Sequence, residues 1–267
     1  MIDAAAPPGG GDGGEPRVML NADGVAAPIH RSVRLAAEAM HVCLPAIAGH
    51  DYSAPFRVGP PIYQVAFEPP ADPADRSAEL EAWLLAQAFG EIARGIRSAL
   101  EEAYLFAMIA TMGPATIVQF QEMATKARAD ANAWPNPRLL AELGNLWTAP
   151  LIFDAELQSL QKARNCLEHR SGIVEARDCD GGEALELVLP RLAILTMIGG
   201  EEREIQVGVP VDGGPVWARR DVMRLRFARG ERIRLQLDDV AGVFVGSFHL
   251  AADIVARLPK PADPAVA

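Results

Sequence analysis

Residues 160–174 read LQKARNCLEHRSGIV, and the fold reading turns on this stretch. Leu157, Leu160 and Leu167 fall on one apolar stripe at helical spacing, with Phe153 one turn earlier, so a helix begins near Phe153 or Asp154. Arg164 stands in the middle of that stripe, where a leucine is expected. An unpaired guanidinium is costly to bury, so it needs a carboxylate, a partner subunit or a water-filled groove. Asn165 and His169 follow it, and Ser171-Gly172 closes the helix in the manner of a glycine C-cap. Beyond Gly172 the apolar period changes from about 3.6 to about 2. Helices therefore precede this point and strands follow it.

Working back toward the N-terminus, Leu80, Leu84, Leu85, Ala88, Ile92, Ile96, Leu100 and Leu105 trace one long apolar face. They predict a helix from Ala74 to about Thr111, stopped by Gly113-Pro114. Further helices fit Arg31 to about Ala48, Ala115 to Asp130 and Leu139 to Trp147. Gly49 to Pro73 reads as a proline-rich connection with one short extended piece, Ile62 to Phe67. Residues 1–28 are rich in Gly, Pro and Ala and read as a disordered tail.

Toward the C-terminus, Leu185–Leu189, Leu192–Ile198 and Glu204–Val209 read as strands, broken by Pro190-Arg191 and Gly199-Gly200. Met223 to Leu237 reads as a hairpin turning at Arg229-Gly230. Asp238-Asp239 then cap a last amphipathic helix, Val240 to Leu258, ended by Pro259. The fold class is α+β. A helical bundle over 29–172 is followed by a small antiparallel β subdomain over 173–238, and a C-terminal helix over 239–259 packs back.

The bulk numbers narrow the function classes. The chain has 267 residues, half of them apolar, ample for a real core. A net charge of −10 argues against a protein that coats nucleic acid non-specifically, though not against a local basic patch. Cys43, Cys166 and Cys179 are odd in number, lack a CxxC pair and make neither a disulfide framework nor a zinc pattern. The N-terminal stretch lacks an apolar signal core, and no run reads as membrane-spanning. The expectation is a reduced, cytoplasmic protein with no membrane partner.

Arg164, Asn165 and His169 form an Arg-x4-His pattern that resembles the signature of HEPN domains, the higher-eukaryote and prokaryote nucleotide-binding family. The longer string ARNCLEHRSGIV is similar to the helix end of bacterial members. The resemblance covers roughly residues 30–172 and implies an up-and-down helical bundle paired as a homodimer. It also implies a metal-independent endoribonuclease, a toxin or defence effector, with an antitoxin or other protein as a further partner. Some members only bind a nucleotide, an RNA or a protein. A second Arg-x6-His pair, Arg34 and His41, lacks the asparagine and the glycine exit, so the context around Arg164 carries the likeness.

The chemistry suits these residue types. RNA carries its own nucleophile, the 2′-hydroxyl beside the scissile phosphate. The imidazole of His169 is a residue type that can move that proton, Arg164 can meet the charge developing on phosphorus, and Asn165 can hold the phosphate or orient the imidazole. No metal or other cofactor is expected. On an ideal helix Arg164 and His169 differ by roughly 140° in azimuth, so one straight helix does not aim both at one phosphate. Two copies facing each other can. A plain pair between Arg164 and Glu168 at i+4, with His169 complementing the helix dipole, explains the same residues without a site.

Between Arg219 and Arg234 lie seven arginines against Asp221 and Glu231. In the expected hairpin Arg224, Arg226, Arg232 and Arg234 alternate with apolar residues and form a comb on one sheet face, suited to tracking a phosphate backbone. Arg170, beside His169, joins them as a candidate RNA contact. Equally, such arginines can pair with the chain's surplus carboxylates on a solvated face.

Overall fold

The computed structural model describes residues 20–60, 62–113, 115–205 and 214–260. The architecture is α+β: N-terminal helices packed together, small antiparallel sheets and a C-terminal helix. Helix α1 spans Asp23–Gly49 and α2 spans Pro73–Ala110. Ser32 meets Glu91 and Gly95, whereas Val42 shares a groove with Leu80, so the two helices run antiparallel. Their crossing is close. A Cβ added at Gly95 would stand 2.8 Å from the Pro28 carbonyl oxygen. Helix α1 starts eight residues before the expected point, inside the stretch read as a tail, because Val25, Ala26 and Ile29 are core residues. Their burial offsets the hydrogen bond lost at Pro28. The rest of that tail, residues 1–19, lies outside the described residues.

Between these helices, β1 (Phe56–Val58) and β2 (Val65–Phe67) form a two-stranded hairpin, of which only the second strand was legible as an extended piece. Helix α3 covers Ile117–Ala133, opened by a Thr116–Gln119 capping box, and α4 covers Asn136–Gly144. Helix α5, Asp154–His169, packs against α2, α4 and the sheet.

The three-stranded sheet has the order β4-β3-β5, with β3 at Ala184–Ile198, β4 at Glu201–Glu204 and β5 at Val216–Ala228. Two expected strands are thus one, running through Pro190. Proline is tolerated there because Val188, two residues earlier, donates its N–H outward to Ser159 Oγ of α5 at 3.1 Å. Pro190 shares that orientation, so its missing N–H faces the edge away from β5 and no ladder bond is lost. Residues 206–213, most of the third expected strand, lie outside the described residues.

The Met223–Leu237 hairpin does not form. Strand β5 pairs along its length with β3, from Ala184↔Ala228 to Thr196↔Val216. After the turn at Gly230 (φ +85°) the chain runs past the end of α5, where Ile233 donates to the Gly172 carbonyl at 2.8 Å. The long ladder with β3 buries Leu185, Leu187 and Leu189, while Ile233 and Leu235 turn inward beneath the α5 exit. Both halves keep their apolar faces covered without pairing to each other.

Helix α6, Leu237–Arg257, begins one turn early, with Asp239 accepting from the Gln236 N–H at 2.8 Å. Contrary to the sequence reading, α6 is long and apolar enough, by length and composition, to cross a membrane. Here it packs on α1, α2 and β3, with Val240, Val243, Leu250 and Ile254 wholly buried. Gly246 is where it touches the sheet: an added Cβ would lie 2.5 Å from the Pro190 carbonyl oxygen. Gly246→Ala is therefore expected to destabilise the protein by about 1–3 kcal/mol. The check is a lower urea midpoint with an unchanged slope.

Candidate functional site

The buried arc of α5 is set by Leu157, Leu160, Ala163 and Cys166. Arg164 therefore stands at the edge of the apolar face, and not in its middle as the leucine stripe predicts. It belongs to a polar sector, Gln161, Arg164, Asn165 and Glu168, that faces the polar side of α2 across a seam.

In that seam the Glu168 carboxylate is shared by two guanidiniums. Arg164 Nε lies 2.9 Å from Oε2, with the two side chains 23% and 25% exposed. The Nε–H is buried and makes no hydrogen bond, because its direction misses the carboxylate. Charge attraction is present without the directed bond. On the other side Arg94 Nη1 donates to Glu168 Oε1 at 3.0 Å and Nη2 to Glu91 Oε2 at 2.8 Å. Glu91 also accepts from the Ser32 hydroxyl at 2.9 Å, which ties α1 to α2. Burial alone would raise the Glu91 carboxyl, but the hydrogen bonds from Arg94 and Ser32, with the charges of Arg94 and Arg31, hold it below the ordinary glutamate range. A depressed folded value contributes stability above the ordinary range, and that contribution is lost as pH falls through the lowered value.

Asn165 joins a different chain of contacts. Its Oδ1 accepts from Gln161 Nε2 at 2.7 Å, and Gln161 Oε1 accepts from Asn136 Nδ2 at 2.7 Å. Asn136 in turn accepts from Arg97, whose guanidinium also reaches the Ala131 and Trp134 carbonyls and Glu101. This amide relay fixes α4 and the end of α3 against α2 and α5. It orients Asn165 from below and leaves its amide nitrogen without a protein acceptor among the described residues.

His169 is the last residue of α5. It is exposed, and among the described residues it makes no hydrogen bond or ion pair. Immediately after it the chain turns sharply, with Ser171 at φ +52° and Gly172 at φ +76°. The Cys166 carbonyl accepts from both the Arg170 and the Gly172 N–H groups, so the glycine exit read from the sequence is present. The Cys166 thiol lies 3.3 Å from the Ile173 carbonyl. Burial, aided by the nearby Asp178 charge, pushes this thiol up and keeps it protonated as a donor.

Arg170 serves the fold. It forms a two-pronged pair with Asp178, through Nε at 3.0 Å and through Nη2, and the side chains are 11% and 5% exposed. Asp178 also accepts from the Glu175 N–H at 2.9 Å, so the pair ties the α5 exit to the short helical turn, Ala176–Asp178, that precedes β3. Its guanidinium is engaged internally and is not presented to a ligand.

The expected arginine comb is divided. Arg224 and Arg226 are exposed on β5, and Arg226 stands opposite Glu186, 3.7 Å away. Arg232 and Arg234 lie on the returning segment instead. Arg232 forms a bridge with Ile173, and its Cγ would touch a Cβ added at Gly172, so it sits beside the α5 exit. Arg219 and Arg220 pair with Glu202 and Glu156. Among the described residues Arg224, Arg232 and Arg234 make no ion pair.

The site thus has members the sequence reading missed: Arg94 and Glu91 on α2, with Ser32 behind them. The available signal was the polar interruption of α2 at Glu91, Arg94 and Arg97, which matches the polar sector of α5. Neither helix alone says that the two sectors face each other. No family model, curated protein or solved structure matches the chain.

Proposed function

We propose that this chain is a HEPN-type, metal-independent endoribonuclease, a toxin or defence effector, working as a homodimer through Arg164, Asn165 and His169. The observation that carries the reading is Arg164. Its guanidinium has a buried donor without an acceptor and sits with Arg94 in a seam open to solvent. Five residues on, the same helix ends in an imidazole with no partner among the described residues.

Within one copy Arg164 and His169 point roughly 140° apart, so the working site combines two copies of the α5 end. One His169 takes the proton of the RNA 2′-hydroxyl as that oxygen attacks phosphorus. The bond from phosphorus to the 5′-oxygen breaks, and the second imidazole, in its protonated form, supplies a proton to the leaving oxygen. The products are a 2′,3′-cyclic phosphate and a 5′-hydroxyl. Arg164 and Arg94 stabilise the charge that grows on the phosphorane oxygens.

The test is cleavage of a broad RNA panel by the dimer, with the new ends identified chemically. Arg164→Ala is expected to reduce the rate by about 10²–10³-fold. Because that side chain lies at the edge of the core, folding is expected to survive.

One observation favours a second reading, a non-catalytic HEPN module that binds a nucleotide, an RNA or a partner protein. Glu168 and Glu91 between them neutralise the two seam arginines. Glu168→Gln separates the two readings. Freed arginines are expected to bind RNA more tightly in either case, and only an enzyme cuts it faster as well.

A further inference from the structure

Far along α1 and α2 from the seam, the two helices stop covering each other. The buried residues of α1 end at Met40, and those of α2 begin at Leu84. The remaining turns of both helices, with the β1–β2 hairpin beside them, enclose an open groove of about 910 Å³. Its walls are apolar: Val42, Ala46 and Ile47 from α1, and Leu80 and Trp83 from α2, with Phe56 and Phe67 stacked alongside at 4.8 Å. Trp83 is 60% exposed and Val42 68%. Every residue of β1 and β2 is exposed, although a lone two-stranded hairpin is marginal in water. An uncovered surface of this kind marks an interaction site.

The rim identifies the occupant. Glu68, Asp72, Asp75 and Glu79 line the groove against Arg76, which Glu79 already pairs at 3.0 Å. Asp72 caps α2, whereas Glu68 and Asp75 have no cationic partner among the described residues. The groove is therefore apolar inside and negative at its edge. We infer that it is a docking site for an amphipathic helix of a partner protein, one with an aliphatic face flanked by lysines or arginines.

Two helix ends whose apolar faces are left uncovered offer the place of a third, the helix-in-groove mode of recognition. The other occupants have the wrong charge. Residues 1–19 carry Asp3, Asp12 and Glu15 against Arg17, and a second copy brings a net charge of −10. The inference is independent of the ribonuclease reading, since the groove shares no residue with the α5 seam.

The experiment uses the full chain and two synthetic amphipathic helices of about five turns, both with a leucine face, one with a lysine and one with a glutamate polar face. The lysine helix is expected to bind at least about tenfold more tightly. Its binding is expected to slow hydrogen exchange in residues 41–49 and 73–84 and to weaken in Trp83→Ala. Combined Glu68→Lys and Asp75→Lys is expected to reverse the preference. Failure of both helices to bind would overturn the inference. So would protection elsewhere on the chain, or a preference indifferent to the rim charges, since either marks diffuse attraction to an acidic protein. Two further results would assign the groove to another occupant: a dimer that Trp83→Asp dissociates, or groove protection that disappears on removing residues 1–19.

Discussion

Replacing His169 with alanine is expected to lower RNA cleavage by about 10²–10⁴-fold, the range for loss of a general acid or base. The melting temperature is expected to stay where it was. The two halves of this result rest on one fact: the imidazole is exposed at the end of α5 and makes no hydrogen bond or ion pair among the described residues. A surface side chain without contacts contributes within about 0.5 kcal/mol to stability, helix-dipole attraction included. A large functional loss with no structural loss would therefore be chemical in origin. Cleavage that survives the substitution would remove His169 from the mechanism, and with it the composite site. Cleavage rate against pH, by wild type and variant, supplies the companion check.

The largest effect on stability is expected a few residues further on. Asp178→Ala leaves the Arg170 guanidinium in a nearly closed environment with its counter-charge removed. Breaking a buried pair by deleting one partner costs about 3–5 kcal/mol, because the remaining charge stays desolvated. The Glu175 N–H loses its acceptor in the same step. The expected result is a strongly reduced denaturant midpoint, or failure to accumulate folded protein. Replacing both members of the pair with apolar residues of similar size should cost much less than Asp178→Ala alone. Equal losses in the single and double variants would mean that packing, rather than charge, holds this exit in place.

This pair shows where sequence reasoning stops. Arg170 was legible as an arginine beside a candidate histidine, and nothing local tied it to Asp178 across a turn with two positive φ values. By contrast, the course of α2 and α5 could be read directly, since an apolar residue every third or fourth position fixes a helix and its inward face. Arg164 was singled out as a charge in the middle of the leucine stripe, whereas the buried arc runs through Leu157, Leu160, Ala163 and Cys166 and leaves it at the edge. Its neighbours on α2 could not be found, because periodicity describes one helix at a time.

The β region was legible in kind but not in pairing. Alternation along Leu185–Leu189 and Leu225–Phe227 marks strands that bury one face, whichever neighbour they take. The Arg229-Gly230 turn signalled a hairpin between adjacent segments. The longer ladder of β5 with β3, from Ala184↔Ala228 to Thr196↔Val216, stands in its place. Pro190 looked like a break because its indifference to the outer edge of β3 is visible only once the sheet is assembled. The start of α1 was hidden by Pro28 and by the glycine- and alanine-rich composition around it, both outweighed by the burial of Val25 and Ile29.

The most direct test of the ribonuclease reading is an end-group measurement on total RNA. The protein, at a concentration where its oligomeric state has been measured, is incubated with it in the presence of a chelator, beside the same RNA methylated at its 2′-oxygens. The account predicts 2′,3′-cyclic phosphate and 5′-hydroxyl ends from the unmodified RNA alone. It predicts none from Arg164→Ala or His169→Ala. Unmodified RNA left intact by a protein shown to be dimeric under the same conditions would contradict it.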